Sequence, residues 1–369
     1  MREESDARPD PASARPARVG RGVAPMENRQ DAERLGGMLP GFPRLKDAYD
    51  VVILGGGHAG LQAGLKAAML HHSACIVDRG PKYSRSYYAP KMDNIPGFPE
   101  GISGHDLLDR QTAQVRAVDE RVGLFSPARA IAAQAIEPAG YRVEFDWLGQ
   151  RREVRGRALI LALGVVDRIV EVGGSIQPIF PWANFGIVDF CLFCDGHRMP
   201  GRTIAVLGHD EFAVRTALDI LHFGPASVEI LTHGRPLLEG ADPAIRGDLM
   251  AKIERSAITR FEETIVGFDA IREKRFGVRF AGGTARVYDK GFSALGWFDM
   301  HDAIPRSLGA SFDADGYVRT DEDCRVIGLD GAPRPGLYCI GDLRNGWNQI
   351  PEAWATAERA VIHAYSYYL

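Results

Sequence analysis

The chain is 369 residues long, enough for two ordinary domains with separate cores. Hydrophobic residues make up 45% and charged residues 25%, with 42 glycines and 22 prolines, a globular composition that excludes fibrous and membrane classes. A formal net charge of -4 leaves no electrostatic footprint for nucleic acid or an acidic membrane surface, so neither partner is expected. The first 46 residues are rich in Pro, Arg and acids and poor in apolar positions, and read as a disordered N-terminal extension. They lack the apolar stretch of a secretory signal, and Glu3, Glu4, Asp6 and Asp10 argue against an organellar transit peptide. The richest apolar run, Ala158 to Val166, is strand-sized rather than bilayer-sized, and a cytoplasmic location is expected.

Order is expected from Asp50-Val51-Val52-Ile53-Leu54, a strand that ends in Gly55-Gly56-Gly57-His58-Ala59-Gly60 and enters a helix over Leu61–Leu70, followed by a strand over Ala74–Asp78. Gly55, Gly57 and Gly60 fit G-x-G-x-x-G. The first permits a tight turn, the second close approach of a diphosphate, and the third close helix–strand packing. Backbone N–H groups at the helix start then face the phosphates, and Asp78, at the end of the next strand, suits a ribose hydroxyl. Strand-like segments follow, with Tyr141, Val143, Phe145 and Trp147 on one face and then Ala158–Leu163.

A second unit repeats this grammar. Thr203–Leu207 leads into Gly208-His209-Asp210-Glu211-Phe212-Ala213, a helix through about His222 and a strand over Ser227–Thr232. Further strands are expected at Ile265–Ile271, Phe276–Phe280 and Ala285–Tyr288. Each nucleotide unit thus carries its own β-meander. The remainder, with Gly291–Gly296, Gly336–Asp342 and a helical tail from about Pro351, is expected to complete the first domain.

Of five cysteines, Cys75, Cys324 and Cys339 are scattered, while Cys191 and Cys194 form C-x-x-C. Such a pair can close a small disulfide, and a cationic or helix-terminal field can lower one thiol enough to give a nucleophilic thiolate near neutral pH. Cys191, Cys194 and His197 also offer zinc-type ligands, but no second C-x-x-C completes a set, and no metal is expected. An inert reduced pair stays open. His197 is either a solvated turn residue or a base that keeps a cysteine as thiolate.

These motifs together resemble the low-molecular-weight thioredoxin reductases and related FAD-dependent disulfide oxidoreductases, from about Tyr49 to the C-terminus. The markers are the 55–60 glycine turn; Asp93-Asn94-Ile95-Pro96-Gly97-Phe98-Pro99-Glu100-Gly101-Ile102-Ser103-Gly104; Ala162-Leu163-Gly164; Cys191-Leu192-Phe193-Cys194-Asp195-Gly196; and Gly341-Asp342 with Asn348-Gln349. The resemblance implies an α/β chain of two Rossmann-like three-layer domains with β-meanders. A discontinuous FAD-binding domain (47–166 and 290–369) would enclose an NAD(P)-binding-like domain (167–289) that carries the redox pair. It implies FAD held by Gly55, Gly57, Gly60 and Asp78 at the ADP half, by Asp342 at the ribityl-phosphate region and by Asn94, Gln349 and Ile350 at the flavin, with His58, Ala59, Arg79, Gly164 and Gly341 as further cofactor-binding residues. It implies that Cys194 faces the flavin, that Cys191 attacks an external disulfide, and that Asp195 moves the proton on or off the departing thiolate. A homodimer acting on a thioredoxin-like protein or a small disulfide or dithiol is implied, with domain rotation about hinges near Val165–Val172 and Asp289–Gly291.

The chain departs from the family pattern in the second unit. Asp210 and Glu211 put carboxylates where a nucleotide diphosphate would lie, and like charges a few Å apart cost on the order of 1 kcal/mol even at high effective dielectric. His233-Gly234-Arg235 stands where the family has an arginine-rich clamp for the 2′-phosphate, and one Arg offers less of that bidentate geometry. Gly208, Ala213, His233 and Arg235 are therefore the candidates for an NADPH or NADH site whose use is open. Arg79–Tyr88 replaces a glycine- and threonine-rich loop, Tyr87 and Tyr88 either stack near the flavin or cover it, and Trp347 and Trp354 flank Gln349. The leading expectation is a thioredoxin reductase-like enzyme. The rivals are an NAD(P)H-independent FAD dithiol oxidase using oxygen, a ferredoxin- or flavoprotein-driven reductase, and a non-catalytic redox-sensing nucleotide-binding protein.

Overall fold

The computed structural model describes residues 43–296 and 298–369. Most of the expected N-terminal extension lies outside the described residues, and its last residues are already anchored. Leu45 packs on the core and the Lys46 amide donates to Tyr49 Oη at 3.2 Å, so order starts before the expected limit at 46.

Strand β1 (Ala48–Leu54) runs into the glycine turn, α1 (His58–Met69) follows, and β2 (Ala74–Val77) lies parallel to β1. The helix starts at His58, earlier than Leu61, because Gly57 is itself the N-cap. Side chains alternate along β1: Val51 and Ile53 bury against the helical layer, and Val52 and Leu54 against the opposite layer. Next, α2 (Gly104–Ala117), capped by Ser103 Oγ, leads to β3 (Val122–Phe125), parallel to β2. The antiparallel β4 (Ala128–Ala135), β5 (Tyr141–Trp147) and β6 (Gln150–Leu161) form the meander, and the inner half of β6 returns parallel to β1.

The chain leaves through β7 (Val165–Val166), then passes α3 (Phe180–Asn184), β8 (Val188–Asp189) and α4 (Leu192–Asp195). The second unit is β9 (Thr203–Leu207), α5 (Glu211–Ile220), β10 (Ser227–Leu231), α6 (Pro243–Glu254) and β11 (Ile258–Phe261). Its meander is β12 (Ile265–Asp269), β13 (Phe276–Phe280) and β14 (Ala285–Tyr288). Strand β15 (Lys290–Ser293) closes a parallel sheet of order β11-β10-β9-β15-β8.

This last strand bears on two expectations. Lys290–Ser293 pairs with Ile204–Leu207, and Phe292 and Ala294 fill the second core. The boundary expected at 290 thus precedes a strand that pairs within the second sheet, and Lys290 and Gly291, at the edge of the expected hinge, lie in that strand. The return crossing is β16 (Asp299–Met300), which pairs antiparallel with β7, so the two segments that join the sheets form a two-stranded link. Beyond it come α7 (Ala303–Ser307), β17 (Arg325–Ile327), β18 (Pro333–Cys339) and α8 (Ile350–Tyr367). Strand β18 lies parallel to β6 and completes the first sheet, order β17-β18-β6-β1-β2-β3, from both ends of the chain. Among the described residues no helix is long and apolar enough to cross a membrane.

Candidate active site

The first glycine turn is shaped by contacts that only glycine allows. Gly55 has φ +108°, and a Cβ there would stand 2.2 Å from the Ala162 carbonyl oxygen; a Cβ on Gly60 would stand 1.9 Å from Gly55 O. A Cβ on Gly57, facing the cleft, would meet nothing closer than Ser84 Oγ at 3.8 Å. The start of α1 has no side-chain cap and no acid in its first turn, so its unpaired N–H groups and positive dipole end are open to an anion. The Asp78 carboxylate accepts from the Gly56 amide at 2.9 Å and the Gly80 amide at 2.8 Å, and so holds the turn's geometry from the next strand.

A cleft of about 910 Å³ runs from this turn past the β7–β16 link to the two cysteines. Every expected cofactor residue lines it except Gly60, which packs behind the wall. His58, the first residue of α1, is buried with Nδ1 2.5 Å from Gln111 Oε1 and Nε2 2.7 Å from Ser86 Oγ, and burial pushes its pKa down. Arg79 stacks on Tyr83 with Cζ 4.1 Å from the ring centre. A glycine turn with free helix amides, an acid at the next strand end and a long cleft fits FAD, which when bound would supply a two-electron carrier.

At the far end Cys191 and Cys194 are disulfide-bonded across a one-turn helix, with Cα atoms 5.3 Å apart. Gln349 Nε2 lies 3.5 Å from Cys191 Sγ and 3.4 Å from Cys194 Sγ, while Gln349 Oε1 accepts from Asn94 Nδ2 at 2.9 Å. One amide thus ties the sulfur pair to the 93–104 segment and to the start of α8. Trp354 packs in the small cluster with Ile95 and Ile102 and meets His58 edge-on, and Trp347 is exposed, edge-on to Phe193 at 5.9 Å. Tyr88 lines the cleft and lies beside Phe180, whereas Tyr87 packs toward the helical core.

The charges around the pair are arranged in two groups. Burial, together with the charge of Asp189, pushes Asp195 up to about 6, against the opposing pull of Arg198 Nη1 at 3.0 Å. Arg198 also donates to Asp93 Oδ2, whose pKa its bonds hold far below the usual range. His197 Nε2 faces Asp93 at 3.2 Å and not the sulfurs, so the solvated-turn alternative describes it better than a base beside a cysteine. Beneath lies a buried ion pair, Lys290 Nζ to Asp189 Oδ2 at 2.6 Å, each side chain about 5% exposed or less. Neither residue stands out as a candidate in the sequence motifs. A lone Asp and Lys inside the apolar runs Ile187–Phe190 and Lys290–Leu295 were the available signal. Cys75, Cys324 and Cys339 are buried free thiols, pushed up by desolvation.

The second unit differs at its helix start. Asp210 is the N-cap of α5, its carboxylate accepts from the Ala213 amide at 3.1 Å, and Glu211 adds an acid to the first turn. The Leu238 amide donates to His209 O at 2.6 Å, and Leu237 and Leu238 sink into the core, which fixes the 233–241 segment over this turn. Arg235 is paired with Glu239 at 2.7 Å, and the His233 ring accepts from the Ile265 amide at 2.9 Å. Gly208 is needed for packing, since a Cβ would stand 1.8 Å from Ala294 O. Gly208, Ala213, His233 and Arg235 do not line the cleft described above.

Two linked dinucleotide-type sheets with a disulfide in the cleft of the first define a disulfide oxidoreductase. The family model described as pyridine nucleotide-disulphide oxidoreductase matches residues 49–359. The thioredoxin reductase of Aquifex aeolicus is 25% identical over 334 residues, which cover 84% of this chain and 89% of that protein. That of Listeria innocua is 24% identical over 302 residues, 80% of this chain and 86% of that protein. The crystal structure of thioredoxin reductase from Streptococcus pyogenes shares the fold at a TM-score of 0.70 and 19% identity, over 88% of this chain and 99% of that one. The chain belongs to the pyridine nucleotide-disulphide oxidoreductase family and is a thioredoxin reductase-like, FAD-dependent disulfide oxidoreductase.

Proposed function

We propose that the chain moves electron pairs between FAD and an external dithiol or disulfide through Cys191 and Cys194, with Cys194 toward the flavin and Cys191 toward the substrate. The supporting observation is Gln349, which hydrogen-bonds both sulfurs from within the cleft that carries the glycine turn. Asp195 would give or take the proton of the departing thiol near neutral pH, as its raised pKa of about 6 favours. The substrate would be a thioredoxin-like protein or a small disulfide or dithiol, and the active form a homodimer. The FAD domain would comprise 47–166 and the segment after β15, and the middle domain the rest.

A second reading, in which the dithiol is the donor and oxygen the acceptor, is favoured by the carboxylate that caps α5. In that direction a dithiol and oxygen give a disulfide and hydrogen peroxide, so two electrons and two protons balance. Anaerobic mixing of the FAD-loaded protein with NADPH, NADH or a dithiol separates the directions. Bleaching by a nicotinamide supports the reductase. Bleaching by dithiol alone, with colour and peroxide returning in air, supports the oxidase. No bleaching by any donor rejects both.

A further inference from the structure

The loop that replaces the glycine- and threonine-rich segment places one guanidinium across the cleft. Arg85 Nε and Nη2 donate to the two oxygens of Asp167 at 2.9 and 2.7 Å, and Nη1 donates to Asp342 Oδ2 at 2.8 Å. Its side chain is 22% exposed, and the Phe298 ring covers it with the centroid 4.6 Å from Cζ. Two observations set where this cation lies. Ser84 Oγ is the nearest atom to the open side of Gly57, and Ser86 Oγ meets His58 Nε2, so the segment on both sides of Arg85 rests on the start of α1. A Cβ on Gly341 would stand 3.0 Å from Ala59 Cβ, so Asp342 rests on that same first turn.

Three of the five guanidinium N–H groups are used among the described residues, which leaves two for a further acceptor. The need for a cation here follows from charge. Asp78, Asp167 and Asp342 all line the cleft, and the diphosphate of FAD adds two more negative charges beside the helix amides. The planar fork of arginine, once fixed on two carboxylates, is preorganised for phosphate oxygens, so little further ordering opposes binding.

We propose that Arg85 is a diphosphate-binding residue of the FAD site in this chain, anchored by Asp342 and Asp167. The inference rests on FAD as the cofactor. It adds a consequence for the rest of the molecule: Asp167 directly follows β7 and Phe298 directly precedes β16, so the cation that meets the phosphates also grips both strands of the inter-sheet link.

The test uses the full chain stripped of flavin and titrated with FAD at several salt concentrations. Arg85→Met is expected to weaken FAD binding at least tenfold and to flatten its salt dependence, because a screened cation–phosphate attraction has been removed. A loss of threefold or more with a flatter salt slope supports the proposal; a smaller loss, or a loss with the wild-type slope, overturns it. Should Arg85→Met fail to fold by circular dichroism, Arg85→Lys keeps the charge without the fork. It is expected to lose at least threefold while keeping the slope, and wild-type affinity in that variant overturns the proposal. If the unaltered chain binds no FAD, the cofactor reading itself fails.

Discussion

Asp195 differs from an ordinary surface acid because water is excluded from it while Asp189 stands nearby with the same charge. Its proton is held to about pH 6 in the folded chain, against about 3.8 for the same side chain free in water. The folded state therefore binds the extra proton between those values, and this group's contribution to stability falls as pH rises through that window and is level above it. Asp195→Asn should gain in melting temperature relative to wild type from pH 4 to pH 8, and a pH-independent difference would contradict the assignment. The same variant should slow disulfide turnover by about 10²-fold and remove a kinetic pKa near 6, read from the pH profile of kcat/KM. Gln349→Ala removes the amide that holds both sulfurs and should slow reduction of the Cys191–Cys194 bond while leaving the melting temperature within a few degrees.

Among the helices, α1 and α5 occupy equivalent places in two repeated units but start in opposite ways. The first offers bare amides to the cleft; the second satisfies one of its own with Asp210. Gly60→Ala should abolish FAD retention, since its Cβ would strike Gly55 O, and normal flavin content in the purified variant would contradict this role for the turn. Asp210→Ala should cost about 1 kcal/mol in urea unfolding through the lost cap.

Both units were legible in the sequence because a glycine turn between an apolar strand and a helix is a local pattern. So was the redox pair. The β3 and β4 strands were not, since β3 is only four residues long and contains Gly123, β4 is alanine-rich, and both are fixed by pairing with β2 and β5. Arg85 and its two carboxylates lie 82 and 257 positions apart, and no local spacing could bring them together. The membership of Lys290–Ser293 in the second sheet is not legible either, because a strand that pairs there looks, in sequence, like any short apolar run.

Across the molecule as a whole, the buried Lys290–Asp189 pair joins the last strand of the second sheet to the strand that leads into the cysteines. Lys290→Met strips the buried Asp189 of its partner and should cost about 3–5 kcal/mol, whereas the double change with Asp189→Leu should recover most of that loss. Equal losses in denaturant melts of the single and double variants would remove the pair from this role.

If electrons reach the flavin through the two sulfurs, removing one sulfur must stop them. The decisive experiment is anaerobic stopped-flow mixing of FAD-loaded wild type and Cys191→Ser with one small dithiol, following the flavin colour. Rapid bleaching is expected of the wild type, and none on that timescale in Cys191→Ser. Bleaching of Cys191→Ser at the wild-type rate would show that electrons bypass the pair.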